Sequence, residues 1–266
     1  MKTRLGRLEM MLLAYAQLRG LRTVRAGELR DALRLSASQE RNLFSRLARA
    51  KLIARVRQGL YLLPPRLPLG GSWSPDGVLA LSTLMNDRAG RYQISGPNAF
   101  NRYGFDEQVP TRLYAYNNRL SGDRVVGSAA LTLIKVADER LGSTEQVATE
   151  DGQIAVYASR ARTLVDGVYD WSRFNSLPRA YDWIGNELRA KRVTGLDLVT
   201  TALRYGNVGT IRRTGALAER EGVAEPLLRK LERALRPTTA LIPWIPARPK
   251  RGTVNRRWGV VMNDAT

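Results

Sequence analysis

The chain of 266 residues contains neither cysteine nor histidine. That excludes disulfides, thiol nucleophiles, Ser–His–Asp triads and zinc sites built on Cys and His. Long apolar runs are missing too; none approaches the ~18–20 residues needed to span a bilayer. The opening segment MKTRLGRLEMMLLAYAQLRG is basic and then apolar. Glu9, Gln17 and Arg19 interrupt it and no small-residue cleavage site follows, so it is not read as a signal peptide. The cytoplasm is the expected compartment. No phosphate-cradling loop is present either: residues 206–209, Gly-Asn-Val-Gly, lack the Gly-Lys-Ser/Thr ending. Nothing in the sequence calls for a cofactor or a metal.

Carboxylates are scarce: 24 Asp and Glu stand against 43 Lys and Arg, for a net charge of +19. The excess is unevenly placed. Residues 1–63 hold 14 cations and 4 carboxylates, a net of +10; residues 64–160 are neutral, with 10 of each; residues 161–266 hold 19 and 10, a net of +9. A neutral middle between two basic ends argues for placed charge and a polyanionic partner. Nucleic acid stands ahead of membrane, because no strongly basic amphipathic helix also carries bulky exposed aromatics. The length suits two domains, and the 44% hydrophobic and 25% charged fractions are globular values.

The most informative stretch is residues 36–63, SASQERNLFSRLARAKLIARVRQGLYLL. Ser36 and Gln39 have the spacing of a capping box, in which each side chain satisfies an amide at a helix start. Leu43, Phe44, Leu47 and Ala48 form one apolar stripe. Ser38, Asn42, Ser45 and Arg49 project from the opposite face, flanked by Gln39, Arg41 and Arg46. The only acid of the helix is Glu40, which sits near the apolar side. Short polar side chains with arginines and no acid suit a helix that enters a major groove, where Arg reads guanine and Asn or Gln reads adenine. The DNA-binding candidates of this helix are Ser36, Ser38, Gln39, Arg41, Asn42, Ser45, Arg46 and Arg49, with Asn42, Arg46 and Arg49 for base edges and the hydroxyls for phosphates, Ser36 combining its cap with a phosphate at the helix start. Residues 52–56 read as a strand, Arg57-Gln58-Gly59 as a turn and residues 60–63 as a return strand, a wing carrying Arg55 and Arg57. Arg22 and Arg25 are candidate phosphate clamps. A small helical domain with a solvated basic face is the plain alternative; the order of elements and the lack of acid oppose it.

Taken in order, Leu8, Met11, Leu12, Tyr15 and Leu18 predict a first helix, ended by Gly20. Thr23–Arg25 leads into a short second helix over 26–33. With the capped helix and the wing this makes a winged helix-turn-helix over 1–63. Pro64, Pro65, Pro68, Gly70 and Gly71 mark a linker over 64–71. The larger second domain, 72–266, is expected to be mixed α/β, so the whole chain is of the α+β class. It has a helix over 78–85, a strand over 91–94, a helix over 98–103, strands over 112–116, 124–126, 130–136 and 154–157, then helices over 159–168, 177–189, 195–205, 208–221 and 225–235. Glu150-Asp151 falls on a turn. A Pro-interrupted basic tail ends in a strand over 258–262.

The basic helical region presents a second set of cations: Arg189, Lys191, Arg192, Arg212, Arg213, Arg229, Lys230 and Arg233. Three readings stay open for it: a second DNA surface, an RNA- or toxin-facing surface, or ordinary solvation. Enzymatic signals are weak. Asp166 and Asp170 stand one turn apart, as a carboxylate pair would, but Arg160, Arg162 and Arg173 lie close in sequence and predict an ion-paired helix end. No enzyme is expected. The alternatives to a DNA-binding regulator are a winged-helix, metal-dependent nuclease and a ligand-responsive regulator.

Three blocks in order, LFSRLARAKLIARVRQGLYLL, the stretch YQISGPNAFNRYGFDEQVPTRLYAYNNR and SRARTLVDGVYD, resemble the AbiEi family of bacterial antitoxins. The resemblance implies a winged-helix repressor that binds inverted repeats in double-stranded DNA upstream of its own operon. It also implies a C-terminal domain that counteracts an AbiEii-type nucleotidyltransferase toxin without requiring a stable complex. A monomer in solution that binds cooperatively on DNA is expected.

Overall fold

The computed structural model describes residues 5–66, 71–149 and 152–264. Residues 67–70 of the expected linker, and the expected turn at Glu150-Asp151, lie outside the described residues. The first half runs α1 (Arg7–Leu18), β1 (Thr23–Arg25), α2 (Arg30–Leu33), α3 (Ala37–Arg49), β2 (Ala54–Arg57) and β3 (Leu60–Leu62). β3 pairs antiparallel with both β1 and β2, with a bulge between Arg55 and Arg57. Leu12, Leu13 and Ala16 of α1 meet Leu43, Phe44 and Leu47 of α3 in one core, and Phe44 stacks on Tyr61 at 4.6 Å. Two expectations need correction. Thr23–Arg25 is a strand, because β3 offers it backbone partners that no local pattern announces. The second helix begins only at Arg30: residues 26–29 form a turn, with Gly27 in the left-handed region at φ +102°.

The second half opens with α4 (Gly77–Asp87), whose start is capped by the Asp76 carboxylate on the amides of Val78 and Leu79. Then come β4 (Tyr92–Ile94), α5 (Pro97–Arg102), β5 (Leu113–Asn117), β6 (Gly122–Val126), β7 (Ala129–Lys135), β8 (Thr144–Ala148) and β9 (Ile154–Ala158). These strands form one mixed sheet of six in the order β6-β7-β5-β4-β9-β8, parallel at β5/β7 and β4/β9. The period of two along β5 decides its two faces. Leu113 and Ala115 join Leu81, Leu84 and Met85 of α4, while Tyr116 faces the helices that follow. Those helices are α6 (Arg160–Tyr169), α7 (Trp171–Phe174), α8 (Arg179–Arg189), α9 (Gly195–Tyr205), α10 (Val208–Arg220) and α11 (Glu225–Arg233). A last small sheet, β10 (Ile242–Pro243), β11 (Thr253–Asn255) and β12 (Val260–Met262), folds the tail back on α10, where Gly215 leaves room for the buried Trp258 ring. The chain is thus a mixed α+β protein. No described helix is long and apolar enough to cross a membrane.

The two halves share a seam. Ala54 and Leu62 of the hairpin belong to the same core as α4 and the sheet. At its edge the Asp87 carboxylate accepts from Arg57 Nε at 2.6 Å and Nη2 at 2.7 Å, and from Arg25 Nη1 at 2.9 Å. The Arg57 guanidinium, with help from Arg25, holds the Asp87 carboxyl down at about 2, against an ordinary value of 3.8. A depressed carboxylate stabilises the fold at every pH above its unfolded value and loses that contribution as pH falls toward its folded value. Asp87→Asn is therefore expected to lower the Tm by a few degrees near neutral pH. The gap from the parent should close as the pH is taken from about 4 to about 2. Thermal unfolding across that range checks it, and a gap independent of pH would contradict the pairing.

Candidate nucleic-acid interface

α3 is built as a rigid, one-sided rod. Ser36 Oγ accepts from the Gln39 amide at 3.2 Å and Gln39 Oε1 accepts from the Ser36 amide at 2.8 Å, closing the capping box expected from the sequence. Ser38 Oγ joins Ser36 Oγ at 3.0 Å. Leu43, Phe44 and Leu47 are buried on one side. Ser38, Gln39, Arg41, Asn42, Ser45, Arg46 and Arg49 are exposed on the other. Arg41, Asn42, Ser45 and Arg49 have no side-chain partner among the described residues, so their hydrogen-bonding groups face solvent. Arg46 instead donates to Glu9 of α1 at 2.8 Å.

The position of Glu40 is the detail that the helical pattern left undecided. Its side chain is completely buried. It accepts from the Gly27 amide at 2.9 and 3.0 Å and from Arg30 Nε at 2.8 Å. One carboxylate therefore satisfies the turn before α2, fixes α2 against α3, and removes the only negative charge of the helix from its outward face. A buried charge needs such partners, since an unpaired one is costly.

The remaining candidates of the first half divide in two. Arg55 is exposed and unpaired among the described residues, and Arg22 is half-buried at the start of β1. Arg25 and Arg57, expected as phosphate contacts, remain partly exposed and are also ion-paired to Asp87, because α4 packs against the hairpin edge. The β2–β3 hairpin is thus braced by the second half of the chain.

The second set of cations does not form one surface. Arg212 and Arg213 are buried, not exposed as expected. Arg212 donates to the carbonyls of Trp258, Ala240 and Gly259, and Arg213 to that of Pro243, stapling α10 to the terminal sheet. Burial pulls both guanidinium pKa values below the ordinary one. Arg189 pairs with Glu221, Arg192 with Glu187 and Arg229 with Glu225. Lys191, Lys230 and Arg233 remain exposed and unpaired among the described residues.

The carboxylate pair considered for catalysis, Asp166 and Asp170, is likewise engaged, as are Asp123 and Asp138 near the sheet. Asp166 is fully buried between Arg140 and Arg162, both at 2.9 Å, and Asp170 accepts from the Tyr116 hydroxyl. Asp123 accepts from Arg112 and Thr132, and Asp138 from Asn118. Among the described residues no group of three or more potential ligands could hold a metal ion.

Glu40→Ala strips acceptors from a buried amide and from Arg30. It is expected to destabilise the chain by about 2–3 kcal/mol, with Glu40→Gln costing less. Denaturant unfolding at constant m measures this; a loss below about 0.5 kcal/mol would show that the buried carboxylate does not hold the two helices.

No protein-family model matches the chain, and no curated protein matches it in sequence. Among solved structures it is similar to the crystal structure of RV2827C protein from Mycobacterium tuberculosis, at a TM-score of 0.62 and 13% identity. The match covers 97% of this chain and 92% of that one, and at this identity it is a likeness of fold.

Proposed function

We propose that the chain is a DNA-binding antitoxin of the AbiEi type. In this reading residues 1–63 form a winged helix-turn-helix, with α3 as the reading helix and β2–β3 as the wing. Residues 64–71 link it to a C-terminal domain, 72–266, which counteracts an AbiEii-type nucleotidyltransferase toxin. The protein represses its own operon from inverted repeats upstream, acts in the cytoplasm and catalyses no reaction. The observation that carries the DNA-binding part is the outward face of α3. Exposed Arg41, Asn42, Ser45 and Arg49 have no side-chain partner among the described residues, and the one carboxylate of the helix is buried on the other side. Such a face offers donors to phosphates and base edges, and the carboxylate that reaches it from α1, that of Glu9, is paired with Arg46. The order helix, strand, helix, helix, hairpin supports the winged form. The three sequence blocks that resemble AbiEi support the antitoxin part.

With Arg46 paired to Glu9, Asn42 and Arg49 are the better base readers. The test is fluorescence anisotropy of the full chain on the duplex upstream of its own gene, against a scrambled duplex. The operator should be preferred, and log Kd should vary with log salt at a slope of roughly 5–7 for ~5–8 phosphate contacts. Asn42→Ala should cost about 1–3 kcal/mol on the operator and little on the scrambled duplex. It should leave rescue of growth from a co-expressed nucleotidyltransferase toxin intact. Equal, weak binding to both duplexes would overturn the reading.

A further inference from the structure

Most cations of the described residues already have a carboxylate or a carbonyl to hold. One place differs. The end of α3 and the base of β2 form one wall of a cleft of about 520 Å³. The segment Ser72–Ser74 and the turn between β6 and β7 form the other. Arg49, Lys51 and Arg55 line it, with the hydroxyls of Ser72 and Ser128, and no carboxylate lines it. All three cations are exposed, and none is ion-paired among the described residues.

The walls are fixed to each other. The Trp73 amide donates to the Lys51 carbonyl at 2.7 Å, and the Ser128 amide donates to Ser74 Oγ at 2.8 Å. Gly127, at φ +64°, seats the turn so closely that an added Cβ would press on the Ser74 hydroxyl. The cleft is therefore a preformed junction of the two halves, and its charge is unbalanced.

We propose that this cleft takes a backbone phosphate of the same duplex whose groove α3 enters; the inference rests on the DNA-reading proposal above. Three cations and two serines lining one cleft with no acid match a phosphodiester. Arg49 belongs both to the outward face of α3 and to the cleft, so a strand crossing that end of the helix meets the cleft next. A duplex fits better than a captured mononucleotide. The cations lie on an open rim, whereas a small-ligand pocket encloses most of its ligand. Ser72 and Ser128 then bring the second half of the chain into contact with DNA at a position that no basic motif marks.

The experiment uses the full chain with two substitutions outside the outward face of α3. Lys51 has a left-handed backbone at φ +56°, so Lys51→Asn removes the charge at a residue type that tolerates that conformation. Ser128→Glu places a carboxylate on the opposite wall. Unchanged Tm values establish that both variants fold. Each is expected to weaken binding to operator and scrambled duplex by the same factor, about tenfold for Ser128→Glu, with the operator preference kept. The salt slope should fall by about one for Lys51→Asn, and Lys51→Arg should restore it. Unaltered affinity and slope, in a protein that still prefers its operator, would overturn the cleft and leave the reading of α3 standing. No operator preference in the unsubstituted chain would overturn both. ATP and inorganic phosphate are titrated in parallel. Sub-millimolar binding that Lys51→Asn abolishes, with DNA affinity unmoved, would assign the cleft to a small anion and overturn the duplex.

Discussion

Asp87 accepts from Arg25 and Arg57 across the seam between the two halves, and Asp166 and Glu187 each hold two arginines within the second half. With 24 carboxylates for 43 cations, sharing of this kind is forced on the interior. A carboxylate taken out of water needs a cation or amides, and a long arginine can reach it from a distant element. Where no carboxylate is within reach, arginine turns to the backbone: Arg212 and Arg213 tie four carbonyls of the tail to α10. The arrangement of the halves, the seating of the tail and the set of cations left facing solvent all follow from this allocation.

Glu40 shows the same constraint at the scale of two helices. The Gly27 amide and Arg30 meet its buried carboxylate, and those partners set α2 and its preceding turn against α3. The effect on the outward face of α3 is indirect. With its acid turned inward, α3 presents a polar and cationic face interrupted only at Arg46, which Glu9 holds, and that face is attached to a helix fixed by its cap and by the α1 core. Preorganised donors lose less conformational freedom on binding than a mobile basic segment would.

In the second half, the sheet divides two cores. On one side α4 and the hairpin are joined; on the other, α6 lies where Arg140 and Arg162 converge on Asp166. These arginines also lie over the Tyr169 and Tyr205 rings, at 3.4 and 3.9 Å from the centroids. Aromatic faces stabilise a cation that has left water. The block SRARTLVDGVYD, which resembles a family signature, thus supplies the middle of an internal ionic network. A structural role accounts for Arg162 and Asp166 without any chemistry.

Much was legible in the chain itself. The capping signal at Ser36 and Gln39, the apolar stripe of α3 and the Gly59 hairpin are local patterns, and local physics realises them. The same holds for α9, whose bounds match the expected ones because Thr194 and Asp197 form a second capping box. β8 was not legible: Thr144–Ala148 is an edge strand with little apolar alternation, and it exists because β9 offers it hydrogen bonds. The dispersal of the arginines was not legible either. Sequence spacing put Arg212 and Arg213 among surface cations, but they are buried on carbonyls 46 and 30 residues away; Arg25 and Arg57 do reach the surface, yet both are held by Asp87, 62 and 30 residues away. By itself the sequence determined the helices, the hairpin and the excess of positive charge, since these depend on neighbours along the chain. Only the tertiary structure decided which cations remain available to a polyanion, because ion pairing depends on distances in space that periodicity does not encode.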